Sequence, residues 1–313
     1  MRCRAASIAA AALLLAGCGG AAHGGASGGR TETVHLMEQT PVNGPPTAAV
    51  ARRPLDVDLG DTIDRVRVRL RHPPRSGLLF DLDTGEVLWR RAAERVLPIA
   101  SLTKMMTALV VVEEARRRER VRITRQALAY QGSGVGLLPK GKRVSLEALL
   151  YGLMLPSGND AAIALAQHVG GTVRRFVGLM NARARDLGLS CTRFSAPDGL
   201  RDRGNHSCAA DLAALARAVL DEPRLARIVR TRYAVLDFPI KGGKLYLASH
   251  NPLLLMGYRG ATGIKTGYTD AAGRCLVASA TRHGRRLGVV LLHSPDPGTQ
   301  AMRLLDAGFR LKR

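Results

Sequence analysis

The chain has 313 residues, enough for one large domain or two medium ones around an ample core. With 46% hydrophobic residues and few aromatics, its composition excludes a fibre or a wholly disordered chain. The formal charge of +22 favours anionic neighbours such as phospholipid or acidic wall polymer. Nucleic acid is excluded as a partner, because no aromatic-plus-basic binding motif accompanies the charge. Only seven of the 47 cations are Lys, amid abundant Ala, Gly and Arg, so compositional bias is the expected origin of the charge.

In chain order, Arg2 and Arg4 precede a short apolar run, Ala5 to Ala16, too short to span a bilayer and expected to be a signal-peptide core. The run ends in Leu15-Ala16-Gly17-Cys18, which resembles a bacterial lipobox. That resemblance implies cleavage before Cys18 and lipidation of its thiol. Residues 1–18 are therefore expected to be a lipoprotein signal, and the protein to be exported and lipid-anchored at the outer face of the bacterial cytoplasmic membrane. Residues 19–74 are rich in Gly and Pro and are expected to form a flexible tether with a reach of about 40 Å. Within it, Val57 to Arg71 alternates and is expected to pair as an edge strand.

The folded body is expected over residues 75–313. Gly77 to Asp81 and Glu86 to Arg90 read as strands joined at Asp83-Thr84-Gly85. Helices are predicted at Met105–Glu114, Leu146–Leu155, Ala161–Val169 and Asp211–Leu220, with Pro98 breaking the chain just before the first. Strands are predicted at Gly263–Tyr268, Arg274–Ala280 and Leu287–Leu292, with a turn at Arg282-His283-Gly284-Arg285. Strands at both ends with helices between describe an α+β body whose sheet joins distant segments. Cys191 and Cys208 flank one loop and can pair, which the sequence leaves open. Cys275 sits alone in an apolar strand and reads as a core residue.

Three motifs in the body carry chemistry. Ser101 and Lys104 lie three residues apart at a helix start, on one face, so the amine can reach the hydroxyl. A serine needs a neighbour to take its proton, and lysine does so only as a free amine, which burial or a second cation provides. Lys265 is expected to be that cation. Ser157-Gly158-Asn159 sits in a turn between helices, where a second hydroxyl can relay a proton and the Asn159 amide can hold Lys104 or a substrate carbonyl. Lys265-Thr266-Gly267 lies on a strand whose edge can pair with an extended peptide, with Gly267 allowing close approach. Taken singly, Ser101 reads as an N-cap, Ser157-Gly158-Asn159 as a capped turn and Lys265-Thr266 as an edge strand. The ordered trio reads as an acyl-transfer site.

These motifs resemble those of serine-type D-alanyl-D-alanine carboxypeptidases, the low-molecular-mass penicillin-binding proteins. The resemblance extends to Leu97–Lys104, Leu149–Met154, Pro156–Ala161, Phe194–Leu200, Asn251–Leu254 and Gly263–Gly273. It implies a β-lactamase/DD-peptidase-like fold: an antiparallel sheet flanked by helices, with a helical lobe. It also implies Ser101 as nucleophile, Lys104 as base, Ser157 and Asn159 in the proton relay, and Lys265, Thr266, Gly267, Tyr268 and Thr269 as substrate-binding residues. The implied oxyanion hole is formed by the Ser101 and Tyr268 amides. The implied substrates are peptidoglycan stem peptides, with β-lactams as inhibitors and no metal or organic cofactor.

Two positions depart from the pattern. Asp198 stands where relatives carry His in Pro-His-Gly-Leu, and Pro297-Gly298 aligns with a basic residue that helps bind the substrate carboxylate. Carboxylate binding then falls to Thr266, Thr269 or an unidentified arginine. Rival readings are a D,D-endopeptidase, a β-lactamase, or a wall-binding lipoprotein without turnover. Gly158 argues against a class A β-lactamase, which typically has Ser-Asp-Asn.

Overall fold

The computed structural model describes Leu55–Gly60 and Asp64–Leu311. The expected signal, Cys18 and most of the expected tether lie outside the described residues.

The body opens with β1 (Ser76–Asp81), β2 (Val87–Arg91) and a two-residue β3 (Leu97–Pro98). A 3-10 turn at Ala100–Thr103 runs directly into α1 (Lys104–Glu114). Short β4 (Arg120–Arg122), α2 (Arg125–Leu128) and β5 (Arg143–Ser145) lead to α3 (Leu146–Met154), α4 (Asn159–Gly170) and α5 (Val173–Asp186). Next come β6 (His206–Ser207), α6 (Ala209–Asp221) and α7 (Pro223–Val229). A hairpin of β7 (Tyr233–Asp237) and β8 (Lys244–Ala248) precedes α8 (Pro252–Leu255). The chain closes with β9 (Ala261–Thr269), β10 (Gly273–Arg282), β11 (Arg285–Leu292) and α9 (Pro297–Arg310).

The main sheet has the order β2-β1-β11-β10-β9, and each neighbouring pair is antiparallel. Its central strands are apolar on both faces, and period-two alternation divides their side chains between two cores. Leu78, Phe80, Cys275, Val277, Val290 and Leu292 pack with the helical lobe built from α1 and α3–α7. Leu79, Leu276, Ala278, Val289 and Leu291 pack under α9 through Ala301, Leu304 and Leu305. The result is a sheet between two helical layers, and it leaves β9 as an edge. The fold is thus the α+β, DD-peptidase-like one that the resemblance implied.

Local signals explain where helices start. Ser145 caps α3 by accepting from the Ala148 amide, and Thr172 caps α5 through the Arg175 amide. Asp296 caps α9, with Pro297 at the first helical position. Pro297-Gly298 therefore begins a helix, and the position aligned with a carboxylate-binding cation is used to dock α9.

Part of the expected tether is held against the body. Asp58 bridges to Glu86, the Val66 amide donates to the Leu88 carbonyl at 2.8 Å, and Asp64 accepts from Arg90. Val66 is buried in the α9-side core. The alternation over Val57 to Arg71 thus yields bridges beside β2 rather than a regular strand, with Val66, Val68 and Leu70 drawn onto that core and Val57 and Leu59 onto the helical-lobe core. On the far side of the sheet, Cys191 and Cys208 form a disulfide with a Cα–Cα distance of 5.6 Å. Cys275 is buried and free, and burial pushes its thiol up to about 11.

Candidate active site

The cleft lies where the start of α1, the turn before α4 and edge strand β9 meet. Ala100 has φ +48, an uncommon value for a non-glycine residue, and it turns the chain so that Ser101 follows it into the 3-10 segment half-exposed. The loop carrying Pro197 and Asp198 supports that turn. Gly199 lies so close that a Cβ there would sit 2.0 Å from the Ala100 carbonyl oxygen. The Thr107 hydroxyl, one helical turn into α1, donates to the Pro197 carbonyl at 2.6 Å.

One turn after Ser101, Lys104 is fully buried and surrounded by acceptors. Its Nζ lies 2.8 Å from Ser101 Oγ, 2.6 Å from Asn159 Oδ1 and 2.6 Å from the Asp198 carbonyl. Burial pushes its ammonium down to about 7, against the opposing pull of the Asp198 and Asp160 carboxylates. A neutral amine keeps two N–H donors and one lone pair. Asn159 and the Asp198 carbonyl can take the two donors, which leaves the lone pair aimed at the Ser101 hydroxyl. A general base needs this alignment.

Asn159 is fixed in turn. Its Nδ2 donates to the Gln131 carbonyl at 2.6 Å and its amide to the Ser133 carbonyl at 2.8 Å. The Gln131 carbonyl can only accept, so Oδ1 is the atom that faces Lys104. Asp160, beside it and buried, accepts from the Val135 and Gly136 amides at 2.9 Å each. These contacts hold the 131–136 loop as a wall of the cleft. Its role was not legible in the sequence; a single acid in the first turn of a helix carries no such signal.

Ser157 adopts φ +65, and its buried Oγ has no hydrogen-bond partner among the described residues. Strained backbone together with an unpartnered polar atom recurs at functional sites.

On β9, Lys265 is buried, and its ammonium donates to the Thr266 carbonyl at 2.9 Å. Burial first, and then the charge of Lys104, hold it well below the usual lysine range. Burial is thus the largest cause of the lowering at both lysines, and the two charges oppose each other's protonation across the cleft. Gly267 lies against the nucleophile turn, where a Cβ would meet the Ile99 carbonyl oxygen at 3.0 Å and the Ser101 amide at 3.1 Å. Thr266 is half-buried, and Tyr268 is 64% exposed with its hydroxyl donating to Asp270. Thr269 donates to Asp202 at 2.7 Å, which ties the end of β9 to the loop before β6. His250 was not foreseen; its amide donates to the Leu155 carbonyl at 3.1 Å, two residues before Ser157, and burial and the Lys265 charge lower its imidazole.

Ser101, Lys104 and Asn159 are thus joined by hydrogen bonds, with Lys265 and Gly267 drawn against them from a distant strand. Cys18 lies outside the described residues.

Residues 67–296, well over half of the chain, match the family Peptidase_S11, D-alanyl-D-alanine carboxypeptidase. The chain is 34% identical over 248 residues to the D-alanyl-D-alanine carboxypeptidase DacF of Bacillus subtilis, covering 77% of this chain and 63% of that protein. It is 36% identical over 250 residues to DacB2 of Mycobacterium tuberculosis, covering 76% and 83%. The Streptomyces K15 DD-transpeptidase superposes with a TM-score of 0.73 at 32% identity, covering 78% of this chain and 100% of that one. The chain spans less than two thirds of the length of DacF and of DacC of Escherichia coli, at 63% and 61%. With the motifs, the fold and these likenesses in agreement, the chain belongs to the D-alanyl-D-alanine carboxypeptidase family Peptidase_S11.

Proposed function

We propose that the chain is a serine D-Ala-D-Ala carboxypeptidase. It removes the terminal D-Ala from peptidoglycan stem pentapeptides through an acyl-enzyme on Ser101, and β-lactams acylate the same hydroxyl. The observation that carries this reading is Lys104: buried, lowered to about 7 and lined up on Ser101 by two acceptors.

In the proposed reaction the Lys104 amine takes the Ser101 proton as Oγ attacks the penultimate D-Ala carbonyl. The backbone amides of Ser101 and Tyr268 receive the oxyanion. The proton reaches the leaving amine through Ser157, whose hydroxyl has no other partner among the described residues. D-Ala departs, and water then attacks the ester with Lys104 again as base. Edge strand β9 pairs with the extended substrate, and Lys265 with Thr266 receives its terminal carboxylate. Thr269, engaged by Asp202, positions the end of that strand.

The proposed setting is the bacterial envelope, with residues 1–18 as a lipoprotein signal, the lipid on Cys18 and residues 75–313 as the catalytic domain. Among the described residues, no helix is long and apolar enough to cross a membrane.

The test is release of D-Ala from diacetyl-lysyl-D-Ala-D-Ala. The wild-type chain should liberate it and Ser101→Ala should not; equal release by both would overturn the assignment. A second reading is transfer of the acyl group to an amine, favoured by the name of the Streptomyces K15 DD-transpeptidase. A peptide product carrying added glycylglycine would separate transfer from hydrolysis.

A further inference from the structure

The cleft leaves unused a strongly basic face at the far end of the sheet. Arg259 precedes β9, Arg303 and Arg310 lie on α9, and Arg67 and Arg69 arrive on the segment beside β2. All five are exposed, and none has a carboxylate partner among the described residues. Two open cavities of about 450 and 390 Å³ run through this face and share Asp306 and Arg310 as walls.

The local acid does not neutralise them. Asp306 already accepts from Arg282 at 2.9 Å and from the Tyr258 hydroxyl at 2.8 Å. Arg282 lies over the Tyr258 and Phe309 rings at 4.5 and 4.8 Å, and Arg285 donates to the Gly308 and Leu311 carbonyls. These two arginines lock the end of α9 to the β10–β11 turn and form the frame. Arg259 joins that frame only through its carbonyl, which accepts from Arg282 at 3.1 Å; among the described residues the side chains of the five outer arginines form no ion pair within it. Crowding them on one end costs folding free energy through repulsion, and an anionic counter-surface relieves that cost.

We propose that this face docks on anionic phospholipid headgroups. The five arginines line two adjoining open cavities, four on one and two on the other with Arg310 shared, rather than one enclosed pocket, which suits a surface better than a single bound anion. Half-buried Phe309 and Leu311 line the first cavity beside the arginines, and an apolar rim next to cations matches the headgroup–acyl boundary. The sequence continues with Lys312 and Arg313, two further cations. The docking does not depend on a lipid at Cys18. Together the two would supply the paired signals that stable anchoring needs.

The docking also sets an orientation. Arg282 lies seven residues along β10 from Cys275, which pairs with Gly267 in the cleft. That is roughly 23 Å of strand. A body seated on its basic end therefore holds the Ser101 cleft away from the membrane.

The test uses the chain from Cys18 to Arg313, produced in a cytosol so that no lipid is attached. It would be sedimented with vesicles of equal parts phosphatidylglycerol and phosphatidylcholine at about 0.1 M salt. One variant carries Arg67→Gln, Arg259→Gln, Arg303→Gln and Arg310→Gln. A second carries Arg303→Gln and Arg310→Gln alone, and covers the case in which the first misfolds. A control carries Arg116→Gln, Arg118→Gln, Arg174→Gln and Arg175→Gln, four exposed arginines of the helical lobe. The fourfold variant should bind at least about tenfold more weakly, the pair should fall between, and the control should lose less than about threefold. Equal losses in the fourfold variant and the control would overturn the proposal, since net charge alone would then explain binding. Failure of the unaltered chain to sediment would also overturn it, as would binding through this face to soluble poly(glycerol phosphate) with vesicles left unbound.

Discussion

Lys104 donates to the main-chain carbonyl of Asp198 at 2.6 Å, while the carboxylate of that same residue turns away and accepts the Leu200 amide at 3.0 Å. Asp198, which stands where the resemblance implies His, therefore keeps its main-chain contact to the base. It adds a negative charge that raises the proton affinity of the base. Asp198→Asn should keep the geometry and remove the charge. The acid limb of the acylation rate against pH should move down by roughly half a pH unit. Stopped-flow acylation by a chromogenic β-lactam across pH would show it, and an unmoved limb would mean that Asp198 has no electrostatic hold on the base.

The wild-type profile follows from the same amine. Only neutral Lys104 can take the Ser101 proton, and burial pushes its pKa to about 7. Acylation should rise about tenfold per pH unit below that value and flatten above it. Lys104→Arg, which cannot give up its proton, should slow acylation by roughly a thousandfold or more.

Stability carries the opposite mark of that burial. Between about pH 7 and the ordinary lysine value of 10.5, unfolded Lys104 holds a proton that the folded residue lacks. Unfolding then takes up a proton, so stability rises with pH through this window, by up to about 1.4 kcal/mol per pH unit. Below about pH 7 both states are protonated and the penalty for burying the charge is fully present. Lys265 is lowered in the same direction. Lys265→Met should therefore raise the melting temperature near neutral pH while abolishing D-Ala release. Thermal melts alongside activity would check the pair, and a lower melting temperature would contradict the account.

Gly267 tests how closely strand and nucleophile are fitted. A Cβ there meets the Ser101 amide at 3.1 Å and the Ile99 carbonyl oxygen at 3.0 Å. Gly267→Ala should displace β9 or the nucleophile turn and cost at least about a hundredfold in acylation, with folding largely retained.

The Cys191–Cys208 disulfide closes the loop that carries Pro197 and Asp198. Cys208→Ala should lower stability by about 3 kcal/mol, measured by denaturant titration. Because that loop supplies an acceptor to Lys104, the variant should also move the acid limb of the pH profile; an unmoved limb would show that Thr107, Asn181 and Asn205 hold the loop without the disulfide.

Much of this arrangement could be read from the residues. The helices around Ser101 and Ser157 and the three late strands carried clear periodicity, and Ser101, Lys104 and Lys265 stood out by type and order. What escaped depends on contacts between distant segments. α5 and α9 were missed although each carries an apolar stripe at helical spacing, Phe176, Met180 and Ala184 in one and Ala301, Leu304 and Leu305 in the other; the arginines between them masked the pattern. The acceptor at Asp198 is a backbone carbonyl, which no side-chain pattern announces. Asp160 acts through loop amides about 25 residues earlier in the chain. The burial that lowers both Lys104 and Lys265 is likewise a product of packing, which sequence spacing does not report.

The central claim is that Ser101 is a nucleophile activated by Lys104. Mass spectrometry of the chain after exposure to benzylpenicillin, followed by peptide mapping, tests it most directly. A long-lived penicilloyl adduct should form on Ser101 in the wild-type chain, be absent in Ser101→Ala and form far more slowly in Lys104→Arg. An adduct on another residue, or one that forms at an unchanged rate without the Lys104 amine, would contradict it.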